Sequence, residues 1–572
     1  MENFNIKIEK IKCLHSLIGN DNRFRLCGYW FKSGWGQVFV FSFCLVEKMI
    51  NAIILRLVWF GNFLLSAKNG LNIFILRIRR TSWFNLIYFF FLFVSFILII
   101  AAGFLCYTYL LLNTVAFDKA YYYFNTVLCF DAISLGLVFM TVTIFPWCFL
   151  YIANRDDRHI WAFYLLLTEI LVLLAFLSAD LLFFFIIFEL LIFPIYKLIL
   201  GWGSPGDLRL TAARSFIIYT VLGSILLLFT IVYLHSIFGT TNIFLLRNFS
   251  WYLPDFLLFV IFVAFATKVP TFPFYHWLTL AHVEASTVGS VILAALILKL
   301  GSYGFVRFLI PLYREHLAFY LWRHLAVSLF IISMLFASIA AMTQTDIKRI
   351  VAYSSIEHIN LSIIGLALCS TTSVMGAYAI MLAHGWVAAG LFFAVGWVYD
   401  SRHQRDILYY RGYAIIEGWW SVLFGLLLLA NIGFPLTLNF FGEFQILLDL
   451  FGQYTELLAL VFFVMIANIV YTLKLGSIMW GTPHTYLLNT QVLDSSVNTS
   501  EFIYSQLNSN TYNRIARLAL LFALLGLPLL LVVLLGHPEF YPNINILLEK
   551  TFRFWHLTSI QTSWPWSIAK WF

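Results

Sequence analysis

One stretch of the chain reads Ala266-Thr-Lys268-Val-Pro270-Thr-Phe-Pro273, inside an apolar run that extends from about residue 255 to 281. The two prolines leave the carbonyls of Ala266 and Val269 without their usual helical donors, which predicts a helix that breaks just past Lys268. The negative end of the first half-helix would favour the protonated form of that lysine. Broken helices with an ion at the break are typical of transport sites in membrane proteins.

The composition excludes a water-soluble fold. Of 572 residues, 62% are hydrophobic and 11% are charged, and the mean hydropathy is +0.89. The 62 charged residues (35 basic plus 27 acidic) are too few to coat a soluble protein of this length. In lipid, only helices or closed barrels satisfy every backbone hydrogen bond, and the apolar runs lack the alternation of barrel strands. We therefore predict an all-α, polytopic membrane protein.

The predicted number of transmembrane helices is about 14. One weaker apolar segment, about 36–66, contains Glu47, Lys48 and Arg56. Thirteen strong segments of spanning length lie at about 84–112, 128–152, 160–178, 181–203, 215–238, 255–281, 287–311, 325–342, 350–370, 374–399, 417–452, 456–480 and 514–536.

The charges of the connecting loops predict the orientation, because Lys and Arg stay on the side where the chain is synthesised. Twelve basic residues collect on one side, namely Arg77, Arg79, Arg80, Arg155, Arg158, Arg209, Arg214, Lys348, Arg349, Arg402, Arg405 and Arg411. Four lie on the other side, namely Lys119, Arg247, Arg314 and Arg323. If the weak first span is real, both termini lie on the side that is poor in positive charge.

A second broken helix is predicted in Asn431-Ile-Gly433-Phe-Pro435-Leu-Thr-Leu-Asn439-Phe-Phe-Gly442-Glu443. Gly433 and Pro435 would end the first half, and Asn439 could cap the second, near Glu443. A proline kink that serves packing alone is the alternative at either break.

The two breaks suggest two repeats, and inverted repeats are a common transporter architecture. In each half of the chain, a span that contains an ionisable residue is followed by a broken span that contains another. Glu189 precedes Lys268 in the first half, and His358 precedes Glu443 in the second. A shorter echo pairs Leu298-Lys-Leu-Gly-Ser302 with Leu473-Lys-Leu-Gly-Ser477. Chance could produce this echo in a chain so rich in leucine.

Ionisable residues inside the apolar runs are the candidate functional groups, because each costs roughly 2.5 to 3.5 kcal/mol to insert. They are Glu169, Glu189, Lys268, Lys299, His358, His384 and Glu443. Structural ion pairs or hydrogen bonds between helices are the alternative explanation for any one of them. Acids, lysines and histidines that share one interior axis would suit a proton relay, since burial brings the pKa values of Lys and Glu towards neutrality.

Other functional classes find little support in the sequence. The seven cysteines show no metal-ligand spacing, and the net charge of +8 is spread over loops without a basic block that would bind nucleic acid. Gly201-Trp-Gly203-Ser-Pro-Gly206 follows a membrane helix instead of a strand, so it predicts a turn and no dinucleotide site. His358 and His384 lack a recognisable haem-ligand pattern. The N-terminus resembles neither a secretory signal nor a transit peptide.

Four motifs together carry a family resemblance: Ala264-Phe-Ala-Thr-Lys-Val-Pro-Thr-Phe-Pro-Phe-Tyr-His-Trp-Leu278, Ala281-His-Val-Glu-Ala-Ser-Thr-Val-Gly-Ser290, Leu298-Lys-Leu-Gly-Ser-Tyr-Gly304 and Asp346-Ile-Lys-Arg-Ile-Val-Ala-Tyr-Ser-Ser355. Over about residues 128–480 the chain resembles the chain 4 family of antiporter-like membrane-arm subunits in proton-pumping NADH:ubiquinone oxidoreductase, respiratory complex I. This family is related to the Mrp cation/proton antiporters. The order of Phe188-Glu189, Ala383-His384-Gly385 and Gly442-Glu443-Phe444 agrees with it.

The resemblance implies a role for each buried group. It implies that Glu189 and Lys268 are a coupled pair, that Lys299 connects the halves, and that His358 and His384 lead to Glu443 as the terminal exchanging group. Glu169 and His276 are weaker candidate members of the same relay.

Four residues depart from the family pattern. Ser286 replaces a frequent proline, and Lys197 and Lys474 are unexpected. Lys197 is near a span end, where its side chain is expected to snorkel. Glu357 stands where a small polar residue is usual; it could raise the pKa of His358 or face solvent or lipid headgroups.

The expected function is proton translocation in complex I, with the chain as one subunit of the enzyme. The alternatives are a stand-alone Mrp-type sodium/proton antiporter, a purely structural subunit, and a quinone- or haem-binding redox subunit. We expect no cofactor and no metal on this chain; NADH, flavin, iron–sulfur clusters and ubiquinone would belong to other subunits.

The resemblance also predicts partners, location and domains. The expected partners are other membrane-arm subunits, including sister antiporter-like chains, and membrane lipids such as cardiolipin, without nucleic acid. The expected location is the mitochondrial inner membrane with organelle coding, and a bacterial membrane is the alternative. The domain prediction is an N-terminal extension with one weak span at 1–83, an antiporter-like proton-translocating domain at 84–480, a polar loop at 481–513, and a last helix with its tail at 514–572.

Overall fold

The computed structural model describes part of the chain. The described residues are 87–102, 121–123, 127–153, 155, 157–204, 206–246, 253–313, 319–416, 418–481 and 526. The predicted weak span at 36–66 lies outside them, as do the polar loop beyond residue 481 and, apart from residue 526, the last predicted span.

The described chain is a helical bundle with one small hairpin, in which β1 (Tyr121–Tyr123) pairs antiparallel with β2 (Cys129–Asp131). The helices in chain order are α1 (Ile87–Ala102), α2 (Ala132–Ile152), α3 (Arg158–Phe176), α4 (Leu181–Trp202), α5 (Asp207–Phe238), α6 (Ile243–Leu246), α7 (Asp255–Lys268), α8 (His276–Glu284), α9 (287–313), α10 (Phe319–Thr343), α11 (Ile347–Leu368), α12 (Thr371–Arg402), α13 (Tyr413–Ile416), α14 (Gly418–Ile432), α15 (Leu438–Gln453) and α16 (Thr455–Trp480). A 3₁₀ turn, Ile407–Tyr410, precedes α13.

The helical membrane fold is confirmed. Within the described ranges, 9 helices are long and apolar enough to cross a membrane. The predicted total of 14 is not reached by this count. Two predicted spans lie outside the described residues, the two broken spans are made of shorter helices, and the predicted span 84–112 is described only as the shorter helix α1. Large apolar side chains such as Ile218, Phe256 and Trp419 are exposed on the outer surface, where lipid or a neighbouring subunit would cover them.

Both predicted helix breaks are present. The run 255–281 forms α7 and α8, and the run 417–452 forms α14 and α15. The prediction that Asn439 caps the second half was wrong. Because α15 begins at Leu438, its cap is Thr437, whose hydroxyl accepts a hydrogen bond from the N–H of Phe440 at 3.3 Å.

The two ends of the bundle agree with the predicted charge asymmetry. At one end, Glu284 accepts a hydrogen bond from the Ser204 N–H at its carbonyl, and its carboxylate pairs with Arg405 at 2.7 Å. In the same region, Lys348 Nζ donates to the carbonyl of Ala285 at 3.1 Å. These contacts gather the ends of α4, α8 and α12 and the start of α11, the region of the basic loops. At the opposite end, Thr241 donates to Asp180 at 2.7 Å.

The predicted repeats are supported by helix packing. The helix α5 packs against both halves of the first broken helix, and α12 packs against both halves of the second. The first broken helix runs towards the basic end, whereas the second starts there. The echo between Lys299 and Lys474 is not a structural match, because Lys299 is buried in α9 while Lys474 is exposed and donates to the carbonyl of Met342 at 2.9 Å.

The helix α9 is buried along its length and contains two π-helical turns, Leu293–Ile297 and Phe305–Leu309. In the second turn, Arg307 donates to both carboxylate oxygens of Asp131, at 2.5 and 2.9 Å, with both side chains fully buried. Asp131 Oδ1 also accepts a hydrogen bond from the N–H of Ser134 at 2.9 Å. Since Asp131 also caps α2, this ion pair joins α2 to the central helix.

Candidate functional site

Lys268 is the last residue of α7 and lies at the first helix break. Its side chain is buried, its Nζ donates to Ser224 Oγ at 3.0 Å, and the Nζ lies 3.6 Å from the ring centroid of Phe188. The carbonyl of Ala266, which Pro270 deprives of its helical donor, accepts from the Thr271 hydroxyl at 2.9 Å. Side chains therefore satisfy the broken end, and the ammonium sits beside the negative end of the helix.

Glu189 lies on α4 next to Phe188 and is half-buried. It interacts electrostatically with Lys268, yet the two do not form an ion pair within 4.0 Å. The Oε1 atom of Glu189 is buried and has no hydrogen-bond partner among the described residues. Glu189 and Lys268, the pair that the resemblance implied, therefore interact at longer range than an ion pair. Lys268 donates its hydrogen bond to Ser224 instead.

Lys299 occupies the middle of α9 and is fully buried. Its Nζ donates to the carbonyl of Ala294 at 2.7 Å, in the π-helical turn. Within the described part of the chain, no acidic side chain pairs with it. A lysine held by a single carbonyl in an apolar interior is suited to give up its proton.

Two imidazoles and a carboxylate lead from Lys299 to the second break. His384 on α12 and His358 on α11 have ring centroids 4.9 Å apart, and Nδ1 of His358 lies 3.4 Å from Oε1 of Glu443 on α15. All three side chains are buried. Neither nitrogen of His384 has a hydrogen-bond partner among the described groups, and His384 interacts electrostatically with Lys299.

Glu357 is buried, and its Oε2 accepts a hydrogen bond from the Tyr471 hydroxyl at 3.0 Å. This excludes the alternative that Glu357 faces solvent or lipid headgroups.

The structure adds His282 on α8 to the buried groups. It is fully buried, stacks on Phe392 with centroids 4.9 Å apart, and interacts electrostatically with Lys348 and Lys299. Its two nitrogens lack partners among the described residues. Sequence reasoning missed it as a site residue because it falls just past the apolar run, although it lies within one of the quoted family motifs.

The basic end of the bundle places a charged cluster outside His282. Glu284 accepts hydrogen bonds from Arg405 and from Ser204, and Lys348 lies beside it. Burial disfavours the charged form, but these hydrogen bonds and the charges of Arg405 and Lys348 hold the pKa of Glu284 below its usual value. The stabilisation by this cluster is therefore present at neutral pH and is lost as the pH falls through the lowered pKa.

Two predicted candidates lie away from the series. Glu169 on α3 is buried against α1, where its Oε1 accepts from Ser95 at 3.1 Å, and it interacts with Cys148 on α2. His276 is exposed at the first residue of α8. Lys197 is half-buried with its ammonium 5.9 Å from the Phe193 ring, in agreement with snorkelling.

Buried lysines, imidazoles and a carboxylate between two broken helices can hold and pass protons, and they define an antiporter-like membrane subunit. Comparison with known proteins leads to the same class. The family profile described as NADH:quinone oxidoreductase/Mrp antiporter, TM, matches residues 178–469. The chain belongs to this family, as the sequence motifs predicted.

Relatives at moderate identity carry one name. NADH-ubiquinone oxidoreductase chain 4 of Acanthamoeba castellanii is 40% identical over 334 residues, which cover 58% of this chain and 67% of that protein. The Arabidopsis thaliana chain 4 is 37% identical, with 61% and 71% covered. NADH-quinone oxidoreductase subunit M of Rickettsia prowazekii (strain Madrid E) is 39% identical, with 54% and 63% covered.

Solved structures share the fold. A chain of respiratory complex I from Thermus thermophilus with bound NADH matches with a TM-score of 0.64 and 23% identity, covering 83% of this chain and 100% of that one. A chain of the Mrp complex from Dietzia sp. DQ12-45-1b matches with a TM-score of 0.65 and 16% identity, covering 82% and 97%.

Proposed function

We propose that the chain translocates protons through a relay buried in the membrane, coupled to electron transfer in other subunits of NADH:ubiquinone oxidoreductase. The proposed relay residues are Glu189, Lys268, Lys299, His384, His358 and Glu443. The observation that carries the proposal is the run of five buried ionisable groups from Lys268 at one helix break to Glu443 at the other. Ionisable groups inside membrane spans commonly mark ion or proton pathways, because they are costly to bury.

The proposed cycle starts at Glu189. When its electrostatic interaction with Lys268 weakens, Lys268 loses a proton, and when the interaction strengthens, Lys268 gains one. Strongly coupled groups of this kind titrate as a set. Lys299 passes a proton towards His384 and His358, and Glu443 accepts it from Nδ1 of His358. Protons enter from the end of the basic loops and leave at the other end.

Glu169 and His276 are not part of the proposed relay, because they lie away from the buried series. The role of Glu169 is a contact with α1 through Ser95.

The names of the relatives support the assembly that we propose. The chain would lie in the membrane arm beside sister antiporter-like subunits, with cardiolipin and other lipids on its exposed apolar faces. We propose the mitochondrial inner membrane as its location and the organelle genome as its source. In such an enzyme the redox cofactors are carried by other subunits.

The experiment that tests the relay is Lys268→Met in the assembled complex, with Lys474→Met as the matched control. Both substitutions remove one ammonium, but Lys474 is exposed and bonded to a helix end. We expect Lys268→Met to lower the protons pumped per NADH oxidised at least tenfold, and Lys474→Met to leave the ratio unchanged. Normal coupling in Lys268→Met at normal assembly would refute the relay.

The second candidate function is sodium/proton antiport by the chain outside complex I, which the structural match to the Mrp complex favours. Migration of the chain with NADH dehydrogenase activity on a native gel supports the enzyme subunit. Sodium-dependent transport by the isolated chain, without NADH oxidation, would support the antiporter instead.

A further inference from the structure

Glu357 brings a second carboxyl to the terminal end of the relay. It precedes His358 on α11, while Glu443 faces His358 from α15 at 3.4 Å. The helices α11, α15 and α16 pack against one another at this point. Glu357 and Glu443 are both buried, and they interact electrostatically.

The charges around the two carboxyls do not balance if both are ionised. The titratable groups that face them are His358 from α11, His384 from α12 behind it, and Tyr471 from α16. Within the described residues, α10 and α14 present no titratable side chain to the pair. One imidazolium can compensate one carboxylate, so two interacting buried carboxylates would leave one negative charge without compensation.

Unpartnered amide atoms extend from the pair towards the end of α14. Asn439 and Asn468 donate to the carbonyls of Ala430 and Asn431, at 2.8 and 3.3 Å, while their own Oδ1 atoms lack partners among the described groups. Both side-chain amide atoms of Asn431 are buried and equally unpartnered. Buried polar atoms of this kind are normally hydrated, and water bound to these amides would give a proton a path out of the pair.

We propose that Glu357 is a second proton-exchanging residue of this chain, and that Glu357 and Glu443 hold one shared proton, with the Tyr471 hydroxyl stabilising the ionised form of Glu357. In the loading step, the proton on Nδ1 of His358 moves to Oε1 of Glu443, which leaves a neutral imidazole and a neutral carboxylic acid. The pair then holds two protons; one of them is released through the hydrated amides, and the other stays shared between the two carboxyls. This inference rests on the proposed relay.

The test compares two variants that shift the pH profile of pumping in opposite directions. Glu357→Gln removes the repulsion that keeps the last proton on the pair, so the alkaline limb should move to lower pH by about one unit or more. Tyr471→Phe removes a donor to the ionised carboxyl, so the pair should hold its proton more tightly and the same limb should move to higher pH. Glu456→Gln, at an exposed acid at the start of α16, is the matched control and should not shift the limb.

The outcomes separate this inference from the relay itself. If Lys268→Met abolishes pumping while Glu357→Gln and Tyr471→Phe leave the pH profile unchanged, the shared proton is refuted and the relay stands. If Glu357→Gln prevents assembly, Glu357→Asp, which keeps the charge, should assemble with the original profile within about half a unit, and Tyr471→Phe still reports the shift. Infrared difference spectra of protonated carboxyl groups should lose a band in Glu357→Gln, and no change in that region would contradict the proposal.

Discussion

Single buried charges in this chain are either paired or held by one neutral acceptor, and the difference separates structural from functional residues. Asp131 and Arg307 satisfy each other with two hydrogen bonds. Among the described groups, Lys268 donates its one hydrogen bond to a serine hydroxyl, and Lys299 donates its one hydrogen bond to a carbonyl. A charge that is fully paired is costly to neutralise, whereas a lysine with one neutral acceptor can exchange its proton.

Asp131→Asn should therefore destabilise the chain without acting on the relay. The substitution removes the carboxylate that compensates the buried Arg307 charge, and breaking a buried ion pair on one side costs about 3 to 5 kcal/mol. We expect a lower unfolding temperature of the complex and less assembled chain on native gels. Asp207→Asn, at an exposed acid, should have little effect. Asp131→Asn/Arg307→Met, which removes both charges, should recover most of the loss, and failure to recover would contradict the pairing argument.

At the level of the helices, the second break is shaped by two residues with positive φ. Gly433 has φ of 76° and Leu436 has φ of 79°. A Cβ atom on Gly433 would lie 2.2 Å from Oε2 of Glu443, so the carboxylate occupies the space that the glycine leaves. The left-handed backbone of Leu436 costs about 1 to 2 kcal/mol. Backbone strain of this size is typical of segments at functional sites.

Gly433→Ala should impair pumping through this contact. The added methyl group must displace the Glu443 carboxylate from His358, so we expect at least a tenfold loss of protons pumped per NADH, with assembly reduced less. Gly452→Ala is the matched control, because Gly452 lies near the end of α15 with open space around its Cβ position. Equal effects of the two substitutions would show that the Gly433 contact is not specific.

At the scale of the whole molecule, the connections at the two ends differ in charge and in contacts. At the basic end Glu284 pairs with Arg405, and Lys348 lies beside them. His282 interacts electrostatically with Lys348 and with Lys299 of the proposed relay. The other end has few basic loops. The asymmetry predicts the orientation of the chain in the membrane, because positively charged loops are retained on the side of synthesis.

This orientation predicts opposite accessibility for two introduced thiols. In a background with Cys13, Cys27, Cys44 and Cys106 replaced by serine, Asp207→Cys at the basic end should react with a membrane-impermeant maleimide only after permeabilisation. Gly452→Cys at the opposite end should react in intact, right-side-out vesicles. The described native thiols Cys129, Cys148 and Cys369 are buried and should contribute little background. The reversed pattern would show that the chain is inserted the other way.

The lengths of the apolar runs and the positions of Pro270, Pro273 and Pro435 were sufficient to predict a helical membrane protein with two broken helices. These features are local, since a span needs only length and apolarity, and a proline disrupts its own helix in any surroundings. The family motifs added the candidate relay residues. Local sequence could decide neither whether Asn439 caps its helix nor whether Lys474 corresponds to Lys299. The start of a helix and the exposure of a lysine depend on neighbouring helices.

The membrane class, the breaks and the unusual number of buried charges follow from composition and order along the chain. The tertiary structure alone decided which charges meet: it separated Lys268 from direct pairing with Glu189, placed His282 beside the series, left Glu169 outside it, and joined Glu357 to Tyr471. The physical reason is that an ionisable side chain is defined by the groups within a few ångströms, and in a helical bundle most of those come from residues distant in sequence.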